Sequence, residues 1–120
     1  MRKKILIVDD ELELLEVTAT RLETSGFKVV KAASSEEALK KLRKAKPDLI
    51  LLDLLLPEMQ GEDLCRKLKS SAAYRKIPVI LFTASAVRID EKSKETGADD
   101  YILKPFEPED LLFKIKKYIG

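Results

Sequence analysis

The chain has no histidine, no tryptophan, one cysteine and four glycines among its 120 residues. Each scarcity closes off a class of protein. Zinc is held by histidine nitrogen and cysteine sulfur, usually as a set of four ligands. A chain with no His and a lone Cys65 offers no such set. One cysteine also forbids an internal disulfide and suits a reducing compartment. Scarce glycine weighs against a nucleotide-binding turn. Asp9-Asp10-Glu11-Leu12 follows the first apolar run, where that fold needs glycines to admit a phosphate. No apolar stretch approaches the roughly 20 residues of a membrane span. Arg2-Lys3-Lys4 before Ile5–Val8 imitates the start of a secretory signal, but Asp9 stops the run far short of the roughly 7–15 residues required. A charge excess is missing too. The 23 basic and 21 acidic residues leave a net +2, which gives no electrostatic case for direct nucleic-acid binding. Together these exclusions point to a cytoplasmic chain without a membrane segment.

What is present describes a globular domain. Apolar residues make up 45% and charged residues 37%, and the length suits one domain over residues 1–120. A chain of this size buries roughly two thirds of its unfolded surface, so it needs no staple. The apolar period switches back and forth between strand and helix. Leu12, Leu15, Ala19 and Leu22 recur at helical spacing, and Gly26 is a suitable stop. Val29 and Val30 lie in a short half-exposed strand. Ser34 or Ser35 can cap a helix whose inner face carries Ala38, Leu42 and Ala45, and Pro47 ends it. Leu49–Leu52 forms a strand, and a helix with Leu64 and Leu68 inward follows. Val79–Phe82 is the next strand. A polar helix over about 86–96 stops at Gly97, and its apolar anchor is limited to Ala86, Val87 and Ile89. Tyr101–Leu103 is the last strand, and Pro108 opens a final helix with Leu112, Ile115 and Ile119 inward.

This alternation predicts an α/β fold, five βα units around a parallel sheet with helices on both faces. The runs at 5–8, 49–52 and 79–82 are apolar at every position, as strands covered on both faces should be. Those at 28–32 and 101–103 are shorter and more polar, so they belong at the edges. The 86–96 helix buries least and is expected to be the most mobile.

Four of the apolar runs end in chemistry. Ile5–Val8 ends in Asp9-Asp10, Leu49–Leu52 in Asp53, Val79–Phe82 in Thr83, and Tyr101–Leu103 in Lys104-Pro105. Parallel strands put their carboxyl ends along one edge, where open α/β sheets bind ligands. Each residue has an ordinary reading as well. One Asp before a helix is a cap, Asp53 can open a loop, Thr83 can be a plain strand end, and Lys104 a solvated lysine. Together those readings weaken. Three neighbouring carboxylates repel, and a hard divalent cation resolves the repulsion. Mg²⁺ prefers a few carboxylates, waters and a phosphate oxygen. A central carboxylate can act as a nucleophile and form an acyl phosphate. An ammonium and a hydroxyl then supply the positioning and charge neutralisation that phosphoryl transfer needs. Cys65 reads as a small buried hydrophobe, and the basic run from Lys40 to Lys46 as a solvated face.

The same residues resemble the receiver domains of two-component response regulators. The resemblance runs the length of the chain. It rests on Ile-Leu-Ile-Val-Asp-Asp-Glu at 5–11, Pro-Asp-Leu-Ile-Leu-Leu-Asp at 47–53, Pro57 and Gly61, Phe-Thr-Ala at 82–84, and Gly-Ala-Asp-Asp-Tyr-Ile-Leu-Lys-Pro-Phe at 97–106. It implies a flavodoxin-like strand order, 2-1-3-4-5. It implies that Asp53 is the phosphoacceptor, charged from the phosphohistidine of a histidine kinase or phosphotransfer protein. Asp10 and Asp53 then bind Mg²⁺ directly, Asp9 through water, and Leu55 through its backbone carbonyl. Thr83 and Lys104 bind phosphoryl oxygens. Tyr101 is the switch aromatic that turns inward as Thr83 moves, and the Lys104–Pro105 bond is cis. Leu55, Leu56 and Gln60 depart from the residues common in the family. An apolar Leu55 beside the acyl phosphate is expected to slow its hydrolysis.

The expectation is a switch rather than a turnover enzyme. Its output surface comprises the 86–96 helix, the 101–103 strand and the last helix, read by an output protein or by an output domain outside this chain. Since the chain ends at Gly120, just after that helix, it reads as a single-domain regulator or an excised receiver. Three rivals compete. A phosphatase of the haloacid-dehalogenase type needs Asp-x-Asp after its first strand, whereas Leu54-Leu55 follows Asp53. A nucleotide-binding domain lacks its glycines. A receiver-like module that binds partners without phosphorylation has no need of the complete residue set found here.

Overall fold

A computed structural model describes residues 2–54, 56, 61–84 and 88–120. Among the described residues ten elements alternate: β1 (Lys4–Val8), α1 (Leu12–Thr24), β2 (Lys28–Ala32), α2 (Ser35–Ala45), β3 (Leu49–Asp53), α3 (Gly61–Ser70), β4 (Val79–Thr83), α4 (Ile89–Thr96), β5 (Asp100–Leu103) and α5 (Pro108–Ile119). The five strands form one parallel sheet in the order β2-β1-β3-β4-β5. This is the flavodoxin-like order, with the two more polar strands at the edges. The central strands β3 and β4 are buried at every position, because helices shield both of their faces.

Alternate residues of the strands feed two cores. Leu6, Val8, Ile50, Leu52, Val79 and Leu81 pack under α2, α3 and α4 against Leu42, Leu64, Leu68 and Ile89. Ile5, Ile7, Leu49, Leu51, Ile80 and Phe82 pack under α1 and α5 against Leu15, Leu22, Leu111 and Ile115. A one-residue slip of any central strand exchanges these two sets, so both layers hold the register together.

Local chemistry sets the helix ends. Ser34 caps α2, its hydroxyl accepting the Glu37 N–H at 3.1 Å. Gly26 follows α1 with φ at +99°, a conformation that costs glycine little. Pro108 starts α5 where no N–H is needed. Two expected core positions shift. Leu12, at the first residue of α1, is 63% exposed. Leu111 is buried more deeply than the half-buried Leu112 beside it. In α4, Ile89 is buried as expected, but Ser93 and Thr96 turn inward with it. Thr96 can do so because its hydroxyl donates to the Lys92 carbonyl at 2.7 Å. Ala86 and Val87, the other expected anchors, lie outside the described residues.

Candidate phosphoryl and metal site

β1 stops at Val8, and the next residue is still tied to the sheet by the Asp9 N–H donating to the Ala32 carbonyl at 3.0 Å. Asp9 therefore enters the crevice fully buried. One of its oxygens accepts the Glu11 N–H at 3.0 Å, the local bond that an Asp before a helix is suited to make. The ordinary reading of Asp9 thus holds for one oxygen and leaves the other for the site. Asp53 ends β3 beside it and is 3% exposed. Asp10 is exposed at the rim. The three carboxylates can each offer an oxygen with all three oxygens within 4.8 Å of one another.

Lys104 closes the crevice from the other side. Its N–H donates to the Thr83 carbonyl at 2.8 Å, continuing the β4–β5 ladder by one residue. The cis Lys104–Pro105 bond then turns the chain toward α5. The Lys104 ammonium donates to Asp9 at 3.0 Å and to Asp53 at 3.1 Å, and Glu11 stands 3.7 Å away. It also lies 4.6 Å from the centroid of the Phe82 ring, which Phe106 meets edge-on. Burial alone lowers the pKa of this amine. The bond to Asp9 and the charges of Asp53 and Asp9 outweigh burial and raise it, so the lysine is held protonated. Thr83, the last residue of β4, is fully buried at the same edge.

Asp9, Asp10, Asp53, Thr83 and Lys104 therefore converge as the strand ends predict. Glu11 and Phe82 join Lys104 without having been anticipated. Glu11 directly follows the two aspartates, but its reach toward residue 104 is a tertiary fact. Leu55, Pro57 and Gln60 lie outside the described residues. Gly61, in contrast, is well placed. Its N–H donates to the Leu54 carbonyl at 2.9 Å, and a Cβ there would sit 2.1 Å from the Asp53 carbonyl oxygen. Only glycine lets α3 start this close to the backbone of Asp53.

The donor set here is oxygen alone, with no sulfur or imidazole among the clustered residues. Such a set suits a hard cation with a partial water shell. Next to a carboxylate, a bound cation and an ammonium can together compensate the charge of an incoming phosphoryl group.

Tyr101 lies two register pairs back from Thr83, opposite Leu81. It is half-buried, and its hydroxyl donates to the Asp90 carboxylate on α4. The Lys114 ammonium stands 5.6 Å from the ring centroid and donates to Asp100 at 2.8 Å.

A model of the response regulator receiver domain matches residues 5–116. The alkaline phosphatase synthesis transcriptional regulatory protein PhoP of Bacillus subtilis is 41% identical over 117 residues, covering 97% of this chain and 48% of that protein. The chain spans about half the length of the curated relatives it matches. A putative response regulator from Chloroflexus aurantiacus superposes with a TM-score of 0.94 at 34% identity, covering 99% of this chain and 98% of that one. The receiver domain of a Pseudomonas aeruginosa sensor histidine kinase, crystallised with magnesium coordinated in its active site cleft, gives a TM-score of 0.90 at 28% identity and covers 100% and 99% of the two chains.

Proposed function

The chain belongs to the response regulator receiver domain family, and from that membership we propose that it is a phosphorylation-operated signalling switch whose acceptor is Asp53. Residues 1–120 are taken as one receiver domain. Among the described residues no helix is long and apolar enough to cross a membrane, and we assign the chain to the cytoplasm.

One observation carries the reading: the Lys104 ammonium bridges Asp9 and Asp53 at 3.0 and 3.1 Å beside the carboxylate cluster. A buried lysine shared between two carboxylates and standing next to a third is a poor source of stability. It suits a site whose charge is meant to change. In the proposed step a carboxylate oxygen of Asp53 attacks the phosphorus of a kinase phosphohistidine. The phosphorus–nitrogen bond breaks, and its electron pair stays on the imidazole, which takes up a proton. Asp53 becomes an acyl phosphate. Hydrolysis later returns inorganic phosphate and the free carboxylate.

Asp10, Asp53 and the Leu55 carbonyl are the residues we assign to Mg²⁺, with Asp9 acting through water. When bound, the cation neutralises charge on the transferring group and orients its oxygens. Lys104 shifts from carboxylate to phosphoryl oxygen, exchanging one charge-assisted bond for another. The buried Thr83 hydroxyl donates to a second phosphoryl oxygen, and Tyr101 turns inward as Thr83 moves. The population of that second arrangement is what phosphorylation changes. An output protein or domain reads it on α4, β5 and α5. We expect no turnover of other substrates and no direct binding of nucleic acid or membrane. The apolar Leu55, two residues after Asp53 in the chain, is expected to slow hydrolysis of the acyl phosphate.

The test is the intact mass after incubation with Mg²⁺ and acetyl phosphate. A gain of one phosphoryl group in the wild type, lost in Asp53→Ala and with EDTA, is expected. A chain that stays unmodified overturns the reading.

A further inference from the structure

We propose that Asp90, in the first turn of α4, is a positioning residue that holds Tyr101 outward and thereby restrains the Asp53 site. The inference rests on the switch reading above and adds the element that opposes it.

Thr83 and Leu81 are two residues apart on β4, so both face the α3–α4 side of the sheet. Tyr101 pairs with Leu81 and packs on that same side. A ring that turns inward from there moves toward Thr83, under α4. In the resting arrangement it is held at two points. Its hydroxyl donates to the Asp90 carboxylate, a charge-assisted bond stronger than a neutral one. Its face is covered by Lys114, which Asp100 anchors at 2.8 Å. The bond to Asp90 must break for the ring to turn.

Among the described residues, Asp90 has little else to bind. Arg88, the nearest cation in sequence, is engaged by Glu91 at 2.7 Å and Glu95 at 3.6 Å. Lys92, on the other side, lies 3.7 Å from Glu62. The ordinary role of Asp90 is to favour the N-terminal end of α4, where a carboxylate is stabilising. That role does not involve the Tyr101 hydroxyl, so the two can be separated.

If the inward ring belongs to the phosphorylated arrangement, the fraction of chains already inward sets the rate of uptake from a small donor. The initial rate of mass gain with acetyl phosphate and Mg²⁺ is therefore compared for the wild type, Asp90→Ala, Tyr101→Phe and the double variant. Each single change is expected to speed uptake about three- to tenfold, as loss of one surface charge-assisted bond allows. The double variant is expected to match the faster single one, because both remove the same bond. Weakening of α4 by lost end charge instead gives multiplied effects, and that outcome overturns the proposal. So does Asp90→Ala phosphorylating at the wild-type rate. A wild type that never gains a phosphoryl group overturns the switch reading itself, which is a distinct result.

Discussion

Lys104 is pulled two ways: burial disfavours its charge, and two buried carboxylates require it. Removing it leaves Asp9 and Asp53 facing each other with Asp10 nearby. Lys104→Ala is expected to cost about 3 kcal/mol, measured by urea unfolding, with much of the loss regained on adding Mg²⁺. Gly61 acts through shape. Gly61→Ala forces a methyl group against the Asp53 carbonyl and the Leu54 Cα. It should cost about 1–3 kcal/mol, as overpacking does, and displace Asp53 enough to slow phosphoryl uptake more than the loss of stability accounts for. Parallel denaturation and mass-gain assays distinguish the two effects. At this scale much was legible in the sequence. Asp9, Asp53, Thr83 and Lys104 stand where apolar runs stop, and a run's end is a local property. Glu11 and Phe82 were not, because their partner is more than 20 residues away and no periodicity points to it.

α4 shows how an element can be read yet misjudged in detail. Its polarity is plain in the sequence, but Ser93 and Thr96 face inward. Hydrophobic patterning passes over small hydroxyl residues, of which Thr96 satisfies itself on its own helix. Its links to neighbours also include the Tyr101 bond to Asp90, the Cys65 thiol on the Thr96 carbonyl at 3.6 Å, and the ion pairs Arg66–Glu95 at 3.9 Å and Lys92–Glu62 at 3.7 Å, and solvent-accessible ion pairs contribute little. α5 instead buries Leu111 and Ile115 with Pro108 at its start. Amide hydrogen exchange is expected to be at least roughly tenfold faster in α4 than in the middle of α5. Equal protection of the two helices would contradict this. The edge strands β2 and β5 were legible because one exposed side admits the lysines of β2 and the Asp100 of β5.

On the scale of the whole molecule, β5 and the end of α5 are joined by a polar cluster. The Tyr118 hydroxyl donates to the Asp99 carbonyl at 2.9 Å and to Asp100 at 3.1 Å. Burial first, and then this bond to Asp100, push the phenol up from 10.0 to about 12. The folded chain therefore keeps that proton at a pH where the unfolded chain has lost it. The stabilisation is complete below about pH 10 and falls as pH rises toward about 12. Urea midpoints taken across that window should decline, and less steeply in Tyr118→Phe, which starts lower because the two bonds are gone.

The sequence by itself determined the alternation of elements, the central and edge positions of the strands, and the carboxyl-end residues that define the crevice. All of these follow from short-range patterns of apolar and polar residues. Only the tertiary structure decided which of the clustered acids Lys104 binds, that Gly61 must stay bare against Asp53, and that Tyr101 is tied to Asp90. Those depend on distances between residues remote in the chain, fixed by how the helices settle on the two faces of the sheet.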